Sequence, residues 1–163
     1  MILREPANAL DPRMRAFWTA EGVIATTVVA ALAGAATLIT ALTGITTAAW
    51  LIAALGGPAV ILLYGLAVAS ARLDYQHFRY EVTEHGLYVA KGWLWQRHQV
   101  VPHARMQTVD TKSGPLLRAF GLVAVEVTTA SAAGGTSIPG LTPKVADALV
   151  SELARRAEVQ EGT

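Results

Sequence analysis

From residue 22 to residue 71 the chain carries no Asp, Glu, Lys, Arg or His. A single helix of that length would run about 75 Å at 1.5 Å per residue, over twice the roughly 30 Å hydrocarbon core of a bilayer. Two crossings fit. Thr43-Gly44-Ile45-Thr46-Thr47 interrupts the run and predicts spans at residues 23–42 and 48–70, each about 20 residues long. Gly56-Gly57-Pro58 is the rival break. A turn there would leave about 13 residues before Arg72, too few to cross, so the triplet reads as a kink inside the second helix. The run far exceeds the 7–15 apolar residues of a signal peptide. A soluble helical hairpin would place charge on one face of each helix, and neither helix has any.

Beyond Asp74 the pattern becomes short alternating stretches. Residues 78–83, 87–91, 97–101 and 106–111 read as strands, with a turn at Glu84-His85-Gly86 and a stop at Pro102. Residues 116–120 read as one helical turn ending at Gly121. Residues 122–129 form the most apolar strand, 131–135 a turn and 136–139 a short last strand. Thr142 and Pro143 then open a helix whose apolar stripe is Val145, Ala146, Leu149, Val150, Leu153 and Ala157. That stripe makes Leu149 and Leu153 core residues and leaves Glu152 facing solvent, where its removal should matter little. Short strands followed by one amphipathic helix predict an α+β unit, a small antiparallel barrel or sandwich closed by that helix.

Composition narrows the function classes. Across 163 residues, hydrophobic residues make up 53% and charged residues 15%, with a mean hydropathy of +0.40. This is no disordered chain and no ordinary soluble enzyme. A net charge of +1 provides no field for nucleic acid. The absence of cysteine excludes disulfides, thiolate metal sites and Cys nucleophiles. Arg4, Arg13 and Arg15 precede the apolar run, Arg72 and Arg79 follow it, and the intervening turn is uncharged. Both termini are therefore expected in the cytoplasm. The expected organisation is a cytoplasmic segment at residues 1–21, a transmembrane hairpin at 22–71 and a cytoplasmic domain at 72–163. Trp18 and Trp50 fall where interfacial indoles belong, although one could equally pack. Ala30/Gly34 and Gly65/Ala69 are small pairs that either let the helices approach or, the favoured reading, arise by chance in Ala-rich helices.

The order Tyr80-x-Val82-Thr83-x-x-Gly86-Leu87, Gly92, Val101-Pro102-x-x-Arg105-Met106-Gln107-x-Val109 resembles the bacterial pleckstrin-homology family of the YdbS/YdbT type. It continues through Gly114-Pro115-Leu116-x-Arg118-x-x-Gly121-Leu122, Val125-x-Val127-x-Thr129 and Ile138-Pro139-Gly140-Leu141. The resemblance covers residues 78–156. It implies a strongly bent seven-stranded sheet capped by a C-terminal helix, with no catalytic activity. It also implies a hetero-complex with another, larger PH-domain membrane protein. Phosphoinositide-binding PH domains carry a basic first hairpin; Glu84-His85-Gly86 departs from that.

Chemistry is sparse. His77, His85, His98 and His103 form no HExxH, and no P-loop, GxGxxG or GxSxG is present, so no catalytic residue, cofactor or metal site is expected. Two groups of residues stand out for binding. Lys91, Trp93, Trp95 and Arg97 have the composition of an interfacial anchor or a partner contact, or else the two rings pack on one strand face of the domain. Pro102, Arg105, Gln107, Gly114, Pro115, Arg118 and Gly121 are the motif residues of the resemblance, structural or binding. The expected function is non-enzymatic protein assembly at the cytoplasmic face of the membrane. The second reading is an anionic-lipid headgroup sensor at the inner leaflet.

Overall fold

The computed structural model describes residues 6–129 and 135–161, with side chains to residue 157, so most of the turn expected at 131–135 lies outside the described residues. The chain forms two compact units. One is Trp18–Arg72, and the other combines the chain up to Phe17 with the chain from Leu73 onward.

Two helices, α1 (Arg13–Leu42) and α2 (Thr46–His77), account for the apolar run, and both are long and apolar enough to cross a membrane. They meet at the expected turn around Gly44, and Pro58 lies inside α2 without ending it. Ile24, Leu32, Leu38, Leu55 and Ile61 all point outward, the reverse of a helix in a soluble core. Thr26, Thr27, Thr37 and Thr40 donate to carbonyls one turn back in their own helix, which satisfies each hydroxyl without water. The helices touch where Gly22 faces Ala67, where an added Cβ would stand 2.8 Å from the Ala67 methyl. They touch again through Thr27 Oγ1 and Tyr64 Oη, 2.7 Å apart. Gly34 and Gly65, one member of each small pair, face open space, in keeping with chance pairs in Ala-rich helices.

The second unit holds two antiparallel sheets. β1 (Asn8–Ala9), β2 (Arg79–Val82), β3 (Gly86–Lys91) and β4 (Arg97–Pro102) pair in that order. β5 (Met106–Lys112), β6 (Val123–Thr129) and β7 (Thr136–Leu141) form the other sheet. The barrel expected as one outcome is not closed. Pro102, which has no N–H to extend a ladder, ends β4, and a 3-10 turn at His103–Arg105 separates it from β5. Leu87, Val89, Val101, Val125, Val127 and Ile138 fill the interior. Helix α4 (Pro143–Glu161) covers it with Ala146, Leu149 and Leu153, whereas Val145 of the expected stripe faces outward.

The segment before α1 is built into this unit. β1 adds to the edge of β2, with Asn8 opposite Tyr80. The Asp11 amide donates to the Gly140 carbonyl at 3.0 Å, and the Asp11 carboxylate accepts the Arg13 amide at 2.9 Å, a cap that starts α1 just after Pro12. Met14 is 1% exposed and lies against Gly140, where a Cβ would come within 2.5 Å of Met14 Cγ. Gly140 also has a φ of +68°, so both its backbone and its missing side chain admit the arm. Phe17 meets Phe120 edge-on at 6.0 Å. Tyr75, near the end of α2, donates its hydroxyl to the Leu10 carbonyl at 3.3 Å.

Candidate functional site

β3 and β4 are in register from Gly86 opposite Pro102 to Lys91 opposite Arg97, and residues 92–96 form the turn beyond them. Gly92 starts it at a φ of +89°, and a Cβ there would strike the Trp95 carbonyl oxygen. The residues after it therefore do not continue β3. Trp93, Leu94 and Trp95 are 42, 60 and 83% exposed, so the rings lie outside the domain core. An apolar knob stands between two cations, Lys91 and Arg97. Neither forms an ion pair among the described residues.

At the base of this knob lies a shallow cavity of about 90 Å³, lined by Pro6 and by residues of the last turn of α2, β2, β3, the 92–96 turn and β4. The Arg79 guanidinium is held by the Phe78 carbonyl at 2.8 Å. His77 donates Nδ1 to the Leu73 carbonyl at 2.7 Å. His98 stacks on Tyr88 and shares a 2.9 Å hydrogen bond with its hydroxyl. Of the cavity's residues, only Lys91 belongs to the sites marked in the sequence. Arg79, His77 and His98 gather here through strand register, which leaves no local pattern to read.

The opposite end of the first sheet differs. Thr83 turns back on Gly86 through both its amide and its hydroxyl, and its carbonyl accepts His103 Nε2 at 3.0 Å and Arg156 Nη1 at 2.9 Å. Glu84 and His85 are exposed above this clamp and present no cluster of cations. Arg156 is in turn held by Glu152, which also accepts Arg155 at 2.8 Å. Hydrogen bonds from these two arginines hold the Glu152 carboxyl below the usual carboxylate range. Glu152 is thus part of a chain that reaches the first hairpin, not the idle surface position its place on the helix predicted.

The motif residues of the resemblance are spread along the second sheet's approaches and do not converge on one pocket. Pro102 begins the 3-10 turn, and Arg105 and Gln107 are exposed on it and on β5. Gly114 and Pro115 open the short helix α3 (Pro115–Ala119), and Arg118 Nη2 bonds back to the Ser113 carbonyl at 3.1 Å. Gly121 follows in the left-handed region, next to Arg13. The α3 stretch therefore reads as a socket for the arm that contains Arg13 and Phe17. Among the described residues no group of three or more His, Asp or Glu is placed to hold a metal ion.

Residues 19–157 match the family model described as Bacterial PH domain. Over 90 residues the chain is 36% identical to the UPF0699 transmembrane protein YdbS of Bacillus subtilis (strain 168), a match covering 55% of each chain. The chain thus spans about half the length of that relative. No solved structure matches.

Proposed function

This chain belongs to the bacterial PH domain family, and on that premise we propose that it is a membrane-spanning assembly protein whose PH unit binds a larger, YdbT-like PH-domain membrane protein at the cytoplasmic face. It is a non-enzymatic protein that acts near a membrane surface. One observation carries the assembly reading: Leu94 and Trp95 are mostly exposed and Trp93 is partly exposed at the tip of the turn. Trp and Arg dominate the residues that anchor protein interfaces, and both occur at this tip. An apolar turn left in water would be a liability; in a partner's groove it is the anchor.

The experiment is purification of the full-length protein from its native membrane in mild detergent, as wild type and as Trp93→Ala/Trp95→Ala. Anchor residues of this kind cost at least about 2 kcal/mol each on truncation. The double variant is expected to lose its PH-domain partner while melting at the wild-type temperature. Retention of the partner, or loss of fold, would contradict the reading.

The arginines flanking the apolar run support both termini lying in the cytoplasm. In sealed vesicles a cysteine placed at Thr46 should react only from the outer side, and one at exposed Glu84 only from the cytoplasmic side. Labelling of both from one side would rule out two crossings.

A further inference from the structure

We propose that the cavity at the base of the tryptophan turn is a binding site for a phosphate-type oxyanion. Six polar residues line it: Gln76, His77, Arg79, Lys91, Gln96 and His98. Among the described residues no carboxylate lines it, and neither Arg79 nor Lys91 forms an ion pair. Among the described residues the cavity thus holds two cations and no carboxylate, a charge pattern that attracts an anion.

The donors are also held in place. The Phe78 carbonyl at 2.8 Å and the Tyr75 carbonyl at 3.5 Å hold Arg79 Nη1, leaving its Nε and Nη2 groups for a ligand. The Leu73 carbonyl can only accept, so His77 donates from Nδ1 and its ring is fixed at the cavity's edge. Tyr88 fixes the His98 ring by stacking and a hydrogen bond. A cavity of about 90 Å³ holds several waters or one tetrahedral oxyanion. This end of the sheet lies opposite the Thr83–Gly86 hairpin, where Arg156 is already paired with Glu152.

Phosphate could arrive from two sources. His77 is seven residues beyond the apolar run's expected end at Ser70, a reach of at most about 25 Å even for extended chain, so lipid headgroups are near. Soluble phosphate esters in the cytoplasm carry the same group.

The test uses full-length protein in phosphatidylcholine nanodiscs, with and without phosphatidylglycerol, titrated with inorganic phosphate while the histidine ring signals are followed by NMR. His77 and His98 are expected to shift saturably, and His85, on the far hairpin, to stay still. A shift that phosphatidylglycerol produces without added phosphate identifies a lipid headgroup; one that needs added phosphate in both discs identifies the soluble ion. Charge-assisted hydrogen bonds of this kind correspond to roughly tenfold or more in affinity, so Lys91→Gln should weaken the response about tenfold, and Arg79→Gln at least as much. Arg79 also supports the Phe78 carbonyl, so the Lys91 variant decides the matter if the other fails to fold. No saturable movement of His77 and His98 in any arm, or an undiminished response in Lys91→Gln, overturns the site.

Discussion

A fragment that begins at Leu73 is expected not to hold a stable fold, although it contains six of the seven described strands and all of α4. It lacks Leu10, Met14 and Phe17, which are 3, 1 and 9% exposed in the intact chain. Burying side chains of this size stabilises by about 1.5–3 kcal/mol each, together about 5–9 kcal/mol. A whole domain of this size is stable by only about 5–15 kcal/mol. The fragment also leaves Gly140 without Met14 and the outer edge of β2 without β1. Joining residues 6–17 to Leu73 through a flexible linker, with the apolar hairpin left out, should restore a cooperative thermal transition. Equal melting of the two proteins would show that the arm is an ornament of the domain rather than part of its core.

Leu153→Ala is expected to be the most damaging single truncation on α4. Leu153 is 0% exposed beneath the helix, and Leu→Ala at such sites costs about 2–5 kcal/mol. In a unit of this size that lowers the melting temperature by on the order of 10 °C or more. Its neighbour Glu152 is a useful contrast because its effect should depend on pH. Its carboxyl is held below the usual range by Arg156 and Arg155. The stabilisation is therefore complete above the ordinary carboxylate pKa and is lost as pH falls through the lower folded-state value. Glu152→Gln should be destabilising near neutral pH, by less than Leu153→Ala, and the difference from wild type should close in acid. The Leu153→Ala deficit should persist across the same range. A Glu152→Gln deficit that does not change with pH would mean the arginine pair is not what holds the first hairpin.

Local signals in the sequence were enough for most elements. The charge-free run, the threonine-glycine turn at 43–47, the strand alternation and the Thr142-Pro143 helix start each act over a few residues, and each matches the observed element. What escaped is long-range. β1 is two residues long and pairs with a strand some seventy positions later, so nothing near Asn8 marks it. Trp93 and Trp95 read either as a tip or as two rings on one strand face, and Gly92 turns the backbone first and removes the periodicity on which the second reading depends. Pro102 was legible as a strand end, yet not as the break that keeps β4 and β5 apart. At the candidate site, composition alone marked the tip. The cavity beneath it depends on placing Lys91 opposite Arg97 and Ala90 opposite His98, a register that only the folded sheet supplies.

The central claim is that the tryptophan tip meets another protein. It is tested most directly by placing a photo-crosslinking amino acid at position 95, as Trp95→p-benzoylphenylalanine, in the full-length protein within its native membrane. Position 95 is 83% exposed in the wild-type chain, so the substitution disturbs no packing. Irradiation is expected to give one discrete adduct of higher mass whose second component is a larger PH-domain membrane protein. An adduct to lipid alone, or none at all, would contradict the claim.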